Sequence, residues 1–425
     1  MTAARTALTG LLAVSAVMPA GAQRAVTRAD AERAALASGA RVALARADTA
    51  AAMARLLTAR ALPNPTLGAT HSRATPQKHV TLDLPLFDAL WTRGLRVNQA
   101  SASARASRLL FASERIAALV EVDTTYTRAL AANARFRLSR QTARDADSLR
   151  KMTEARRDAG DASDLDVDLA TVVSGQQLNV TTGDSLSYMS ALLTVQTLMG
   201  LPADSIAIVL ADSLALSSLD TISVRQSLDS GTRIILVPAA GGITSATVPT
   251  TAPVAAAQAN VQAAELGVAL QQRSVFLLPS LNVGVEWGDP SGSEPGYLPL
   301  IGFSVPLPLF NRNQGPIAEA RAERDRALAQ LTAARLDARQ RVIEAVRERE
   351  QLIARINRDR DLVVRAQRVA DKSLTAYREG ASALPAVLEA SRSAREVLGQ
   401  YIDDLAALLT VNTELRALTQ NAPVP

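Results

Sequence analysis

Apolar and polar positions alternate in four short stretches of this chain and recur at helical spacing almost everywhere else. One stretch, Leu298 to Arg321, reads LPLIGFSVPLPLFNRNQGPIAEAR. Ile301, Phe303 and Val305 alternate with Gly302 and Ser304, the period-2 signature of a strand with one apolar face. Pro306 and Pro308 end any ladder, because proline has no N–H to donate. Asn311, Asn313 and Gly315 are turn and cap residues, and Pro316 suits a first helical turn. A long charged helix is predicted from Pro316 to Arg378, with Val342, Val346, Ile353, Ile356 and Val363 on one seam. Gly380 breaks it, and a last helix runs from Leu384 to Thr419.

The first half has the same pattern. One alanine-rich helix is predicted over residues 26 to 61, ended by Pro63-Asn64-Pro65. Strands follow at Thr66 to Arg73 and at His79 to Leu84, where Val80, Leu82 and Leu84 alternate with Thr81 and Asp83. Pro85, Leu86, Phe87 and Trp91 form the corner, and Gly94 precedes a helix from Leu95 to Arg157. Sixty residues of helix span about 90 Å. Gly160 breaks it, and a second helix runs from Asp164 to Met199.

Two matching halves result. A helix over Val254 to Phe276 ends at Leu278-Pro279-Ser280, and a strand at Leu281 to Trp287 follows. TLGATHS answers SLNVGVE, and LDLPLFD answers VPLPLFN. Gly94 answers Gly315, and Gly160 answers Gly380. The unit is helix, strand, strand, long helix, turn, helix, and it spans residues 23–202 and again 254–420. Residues 203–253 read as an irregular insertion and connector, and 421–425 as a tail.

Composition narrows the class. The 425 residues contain only 3% aromatics and no cysteine, which favours long helices and excludes disulfides, thiolate metal sites and a lipidated N-terminal cysteine. Residues 1–22 read as a secretory signal: Arg5 is the positive start, Ala7 to Met18 the apolar core, and Ala20-Gly21-Ala22 the cleavage site. Export without cysteine points to a bacterial envelope protein. The net charge of +5 does not imply nucleic acid, because Arg is interspersed with Asp and Glu and no aromatic–basic platform appears.

Four amphipathic strands cannot close a barrel, and an open edge cannot stand in a bilayer. The smallest membrane barrels use about eight strands, so several chains must contribute, and three would give twelve. Phe87, Trp91, Trp287, Tyr297, Phe303 and Phe310 lie in or beside the strands, as an aromatic belt at a membrane interface predicts. The helical seams predict antiparallel hairpins folded at Gly160 and Gly380. The fold class expected is mainly α, with a small membrane β-barrel.

The duplicated half, the VPLPLFNRNQGPIAEA motif at Val305 to Ala320, the LPSL motif at Leu278 to Leu281 and the Asn64-Pro65 pair together resemble the TolC-like outer-membrane efflux channels. Asn311-Arg312-Asn313-Gln314-Gly315 is similar to the branch serving heavy-metal efflux pumps of the resistance-nodulation-division type. The first tip, Gly160 to Leu165 followed by Asp166, also resembles the family's tip. The resemblance implies a homotrimer with a twelve-stranded barrel in outer-membrane lipid and a long periplasmic helical tunnel. It implies two partners, a periplasmic adaptor and an inner-membrane pump. By position it assigns adaptor docking to Gly160, Asp161, Ser163, Leu165, Gly380, Ser382 and Leu384. Threefold symmetry would turn Asp158, Asp161 and Glu379 into rings of carboxylates favouring cations. Pro85, Gly94, Pro306, Pro308 and Gly315 become the joints between barrel and tunnel. The second tip, GASALPAV, lacks the first tip's acidic pattern.

Catalytic chemistry is not expected. There is no P-loop, nucleophile elbow, zinc-protease motif or dinucleotide fingerprint. Asp161, Asp164, Asp166 and Asp168 lack the glycine and closing glutamate of a calcium loop. His71 and His79 flank the first strand loop and read as surface residues. No cofactor or resident metal is expected. The function expected is a passive conduit of a tripartite efflux pump, carrying metal cations. The alternatives are a channel for drugs or for type I protein secretion and, in a different class, a periplasmic coiled-coil scaffold or adaptor.

Overall fold

A computed structural model describes residues 24–73, 76–85, 91–212, 214, 251–275, 279–288, 296–305 and 308–419. The signal sequence, Phe87, Leu278, Pro306, most of the 203–253 insertion and the tail lie outside the described residues. In chain order the elements are β1 (Arg24–Val26), α1 (Arg28–Ser38), α2 (Ala40–Arg60), β2 (Thr66–His71), β3 (Lys78–Leu84), α3 (Arg93–Asp158) and α4 (Asp164–Leu198). They continue with β4 (Ile208–Leu210), α5 (Ala252–Arg273), β5 (Ser280–Trp287), β6 (Leu298–Ser304), α6 (Gln314–Arg378) and α7 (Leu384–Thr419).

The long helices have 66 and 65 residues in α3 and α6, and each would measure about 100 Å at 1.5 Å per residue. Their neighbours are arranged in one layer. Near the sheet the helices pack in the order α2-α3-α5-α6. Towards the far end the order is α4-α3-α7-α6. The antiparallel sheet has the order β2-β3-β5-β6. Each strand therefore continues into, or out of, the helix at the same place in the row, and the chain is a single wall rather than a bundle with a central core.

Apolar contacts form separate clusters along this wall. Leu56 and Ala59 meet Ala100 and Ala104 near the sheet. Val254 and Val261 meet Ala327, Leu331 and Ala338. Lower down, Ala345 and Leu352 meet Leu408 and Val411. Alanine at so many of these positions lets the helices approach closely, and each buried methylene adds about 0.8 kcal/mol.

Two parts of the expected fold are corrected. The helix predicted over residues 26–61 is two helices. Gly39 is extended, with φ −62° and ψ 134°, and a Cβ there would lie 2.3 Å from the Ala35 carbonyl oxygen. Only glycine fits, and the chain turns at that point. α1 then starts on a capping box, in which Thr27 and Asp30 bond each other's backbone amides at 3.2 Å. The insertion is also less irregular than expected, because β4 pairs in parallel with β1, Val26 opposite Leu210.

This small ribbon is clasped to the wall at mid-height. The Tyr126 hydroxyl is buried, 2.9 Å from the Val26 carbonyl oxygen and 2.8 Å from the Asp212 carboxylate. Burial, and then the Asp212 carboxylate, push its pKa well above the usual phenol range. Asp123 accepts from Arg28 and from the Thr413 hydroxyl, joining α1, α3 and α7.

Candidate functional site

The sheet and the hairpin ends hold nearly all of the residues singled out by the sequence. In the sheet, register fixes two faces. Val80 pairs with Val285, Leu82 with Val283 and Leu84 with Leu281. Leu67 lies opposite Leu82, and Ile301 opposite Val283. These residues share one face, which is apolar. The other face carries Thr66, Thr70, His79, Thr81, Asp83, Asn282, Glu286 and Ser304. No helix packs extensively on either face among the described residues. The outer strands β2 and β6 each leave one edge unpaired. β5 has 8 residues and rises about 26 Å at 3.3 Å per residue, close to the roughly 25 Å apolar band of membrane barrels.

The aromatic residues fall at both ends of this band. Trp287 and Tyr297 lie at the end away from the helices, with ring centroids 5.7 Å apart. Trp91, Phe303 and Phe310 lie at the helical end, and the Phe310 side chain is almost fully exposed. The Arg273 guanidinium sits 4.5 Å over the Trp91 ring, linking the second repeat to the first corner. Such amphipathic rings suit headgroup depth.

The corners are built differently from the sequence expectation. Gly94 and Gly315 lie inside the first turns of α3 and α6, and neither has a positive φ. The residue with the unusual backbone is Asn313, at φ 61° and ψ 21°. Its amide nitrogen donates to Asn311 Oδ1 at 2.9 Å, and its side-chain Nδ2 donates to the Gln271 carbonyl at 2.8 Å. Asn is one of the few residues with local hydrogen bonds to offset the left-handed conformation. At the first corner, arginine does the equivalent work. Arg93 donates from Nε and Nη2 to the Arg60 carbonyl at 3.1 and 2.9 Å, and Arg96 Nε donates to the Ala59 carbonyl at 3.3 Å. Each long helix is thus fastened to the end of the preceding short one. Pro85 and Pro308 flank the strand ends as expected, outside the ladder.

At the hairpin ends both glycines have left-handed backbones, φ 87° at Gly160 and 77° at Gly380. Each closes a Schellman turn. Asp161 N donates to the Arg156 carbonyl at 2.7 Å and Gly160 N to the Arg157 carbonyl at 2.8 Å. Ala381 N donates to the Ala376 carbonyl at 2.8 Å and Gly380 N to the Tyr377 carbonyl at 3.1 Å. The returning helices differ. Ser163 caps α4 in a reciprocal pair with Asp166. α7 instead begins at Leu384-Pro385, and Leu384 is only 2% exposed, packed with Leu149, Ala170, Tyr377 and Val387. Leu384 therefore holds the two hairpins together from inside and offers no free docking surface. Leu165, in contrast, is 75% exposed, while Ser382 is half-buried.

The acidic candidates are also distinguished. Asp158 is paired to Arg157, Oδ1 to Nη2 at 2.6 Å. Asp161 and Glu379 are exposed. Asp158 ends α3, and Glu379 is the C-cap of α6, where the helix dipole disfavours negative charge. Capping explains Asp164 and Asp166 in the first turn of α4, but not Asp158 or Glu379.

Among the described residues there is no cluster of three or more His, Cys, Asp or Glu able to hold a metal ion, and no helix is long and apolar enough to cross a membrane. His79, expected as a plain surface residue, pairs across the strands with Glu286, Nδ1 to Oε1 at 3.0 Å. Sequence reasoning missed this pair, because the two residues come from different repeats and only the β3–β5 register brings them together.

Solved structures share this fold. CusC, described in connection with transmembrane channel formation, is 17% identical, with TM-score 0.71, covering 92% of this chain and 91% of that one. The outer membrane protein VceC from Vibrio cholerae is 17% identical, with TM-score 0.70 and coverage of 93% and 96%. The Campylobacter jejuni CmeC outer membrane channel is 13% identical, with TM-score 0.74 and coverage of 93% and 87%. No curated protein sequence is similar enough to the chain to count as a match. The outer membrane efflux protein family matches residues 33–201 and 252–420, one match in each half of the chain. With its two-faced sheet, its single wall of helices and both repeats matched, the chain belongs to the outer membrane efflux protein family and is an efflux channel of the outer membrane.

Proposed function

We propose that three copies of this chain close into one passive conduit from periplasm to exterior. The observation that carries the reading is the uncovered sheet. One face is apolar, the other polar, and both edges are open, so the sheet satisfies its backbone only by pairing β6 of one copy with β2 of the next. Three copies give a twelve-stranded barrel with its apolar face to lipid and its polar face to a lumen. The helical wall extends the barrel into a tunnel. The hairpin ends are then the docking region for a periplasmic adaptor and an inner-membrane pump. Gly160, Asp161, Ser163 and Leu165 offer the exposed surface of the first tip, and exposed Gly380 with half-buried Ser382 that of the second. The pump supplies the energy.

Metal cations are the cargo this reading favours. The corner motif at Asn311 to Gly315 resembles the heavy-metal branch, and Asp161 and Glu379 place exposed carboxylates at the hairpin ends. A drug channel is the second reading, and the partner pump decides between them.

The absence of cysteine makes the test direct. One cysteine in β2, Ala69→Cys, is combined in turn with cysteines along β6. Oxidised outer-membrane fractions are expected to contain disulfide-linked trimers at one register. A soluble monomer after export would overturn the conduit. Tolerance to metal salts, compared with tolerance to organic drugs in cells with and without the protein, separates the two cargoes.

A further inference from the structure

We propose that His79 and Glu286 form a proton-controlled cation filter at the outer end of the barrel. The proposal rests on the conduit described above and adds a selectivity device far from the hairpin ends.

The two residues are direct register partners on β3 and β5. Their side chains meet at 3.0 Å and are 24% and 21% exposed. Both stand on the polar face. Their neighbours on that face are neutral: Thr70 is opposite His79 on β2, and Leu298 is opposite Glu286 on β6. Thr81 and Gly284 are the next pair along the strands. Lys78, His71 and Trp287 belong to the opposite face by alternation. The nearest other carboxylate on the polar face of β3 is Asp83, four residues away, or about 13 Å at 3.3 Å per residue. Among the described residues of the polar face, the pair itself is therefore the local source of charge.

Imidazole is the side chain whose charge changes between about pH 5 and 8. When His79 is protonated, the imidazolium and the carboxylate cancel. When it is neutral, Glu286 contributes one negative charge per copy. Three copies convert a neutral ring into a ring of three carboxylates, which attracts cations and repels anions in a confined pore. Acid outside the cell would switch this preference off, and neutral medium would switch it on.

The experiment is a reversal-potential measurement on the purified full-length trimer in planar bilayers, under a KCl gradient, at pH 5 and pH 8. Wild type is expected to become severalfold more selective for K⁺ over Cl⁻ at pH 8. His79→Gln is expected to be cation-selective at both values, and Glu286→Gln to be less cation-selective than wild type at both. Asp83→Asn is the control and keeps the response. His79→Thr and Glu286→Thr, with the residue type that the same face carries at Thr70 and Thr81, give a second pair that suits a strand. Selectivity that is flat in wild type, a pH response that persists undiminished in the His79 variants, or Glu286 variants as cation-selective as wild type overturns the filter alone. Absence of any conductance from the trimer overturns the conduit and the filter together.

Discussion

Arg156 of α3 lies over the ring of Tyr377 of α6, 4.7 Å from its centroid, and donates Nη1 to the same residue's carbonyl at 2.5 Å. One side chain thus satisfies the C-terminal end of the other long helix and covers its last aromatic ring. The Tyr377 hydroxyl continues the link to Thr153, at 3.1 Å and buried. The two repeats are joined here, one turn above their tips.

Graded losses are expected from that link. Tyr377→Phe removes only the bond to Thr153 and should cost about 1 kcal/mol. Arg156→Ala leaves that bond in place but removes two others, the ring contact and the charge-assisted carbonyl cap, and should cost more than Tyr377→Phe. Hydrogen exchange of the last turns of α3 and α6 reads both. Equal protection in the two variants would show that the arginine adds nothing.

Gly160→Pro and Gly380→Pro test the hairpin ends. Proline fixes φ near −65°, whereas these residues sit at 87° and 77°. The substitution also removes the N–H that reaches the Arg157 or Tyr377 carbonyl. Heat-modifiable trimers should still form in the outer membrane, since the sheet is far away, while pump-dependent tolerance is lost. Unchanged tolerance would remove the tips from the docking surface.

Gly39→Ala should loosen the clasp at mid-height. Its Cβ would meet the Ala35 carbonyl oxygen at 2.3 Å, and relief requires α1 to swing away from α2. Overpacking of this kind costs about 1–3 kcal/mol. Hydrogen exchange over residues 24–38 should rise while the sheet stays protected. Unaltered exchange would mean that the turn does not depend on glycine.

Asp359→Asn should stabilise the α6–α7 hairpin at neutral pH. Asp359 Oδ2 is buried without a hydrogen-bond partner among the described residues. Burial, and then the neighbouring Asp404, push its pKa up. Asp404 is itself penalised by burial, but hydrogen bonds from Arg355 and Gln400 outweigh this and hold its pKa down. A carboxyl whose folded pKa is raised binds more protons folded than unfolded, so its penalty is relieved as pH falls through that raised value. Asparagine offers an N–H to Asp404 at every pH, a gain of about 0.5–1.5 kcal/mol. The variant's advantage in thermal melting should be present at pH 7 and shrink in acid. An advantage independent of pH would exclude Asp359 as its source.

Much of this architecture is visible in the residues themselves. Long seams of alanine and leucine mark the helices, alternation marks the four strands, and Gly160 and Gly380 mark the tips, because local backbone preference decides each of these. Distant partners decide the rest. β1 and β4 have three residues each, too few to show a period, and they form only because the fold brings Val26 beside Leu210, 184 positions later in the chain. Gly39 resembles a tolerated glycine within a helix until the Ala35 carbonyl is placed beside it. Asn313 takes its left-handed backbone with help from Gln271, 42 residues earlier. Leu384 follows a turn, as docking residues do, but Tyr377 and Leu149 claim it for the interior. The pairing of His79 with Glu286 needs the register between repeats, which neither strand encodes alone.

The two unpaired edges of the sheet make stability a matter of mass action. An edge of donors and acceptors in lipid has no water to fall back on, so a solitary copy has no membrane-inserted state of its own to occupy. In the trimer proposed above, folding of the strands and recruitment of further copies would be one equilibrium, and its position would depend on how many chains share the membrane. Dilution, rather than heat or denaturant, would then be the mildest way to take this protein apart.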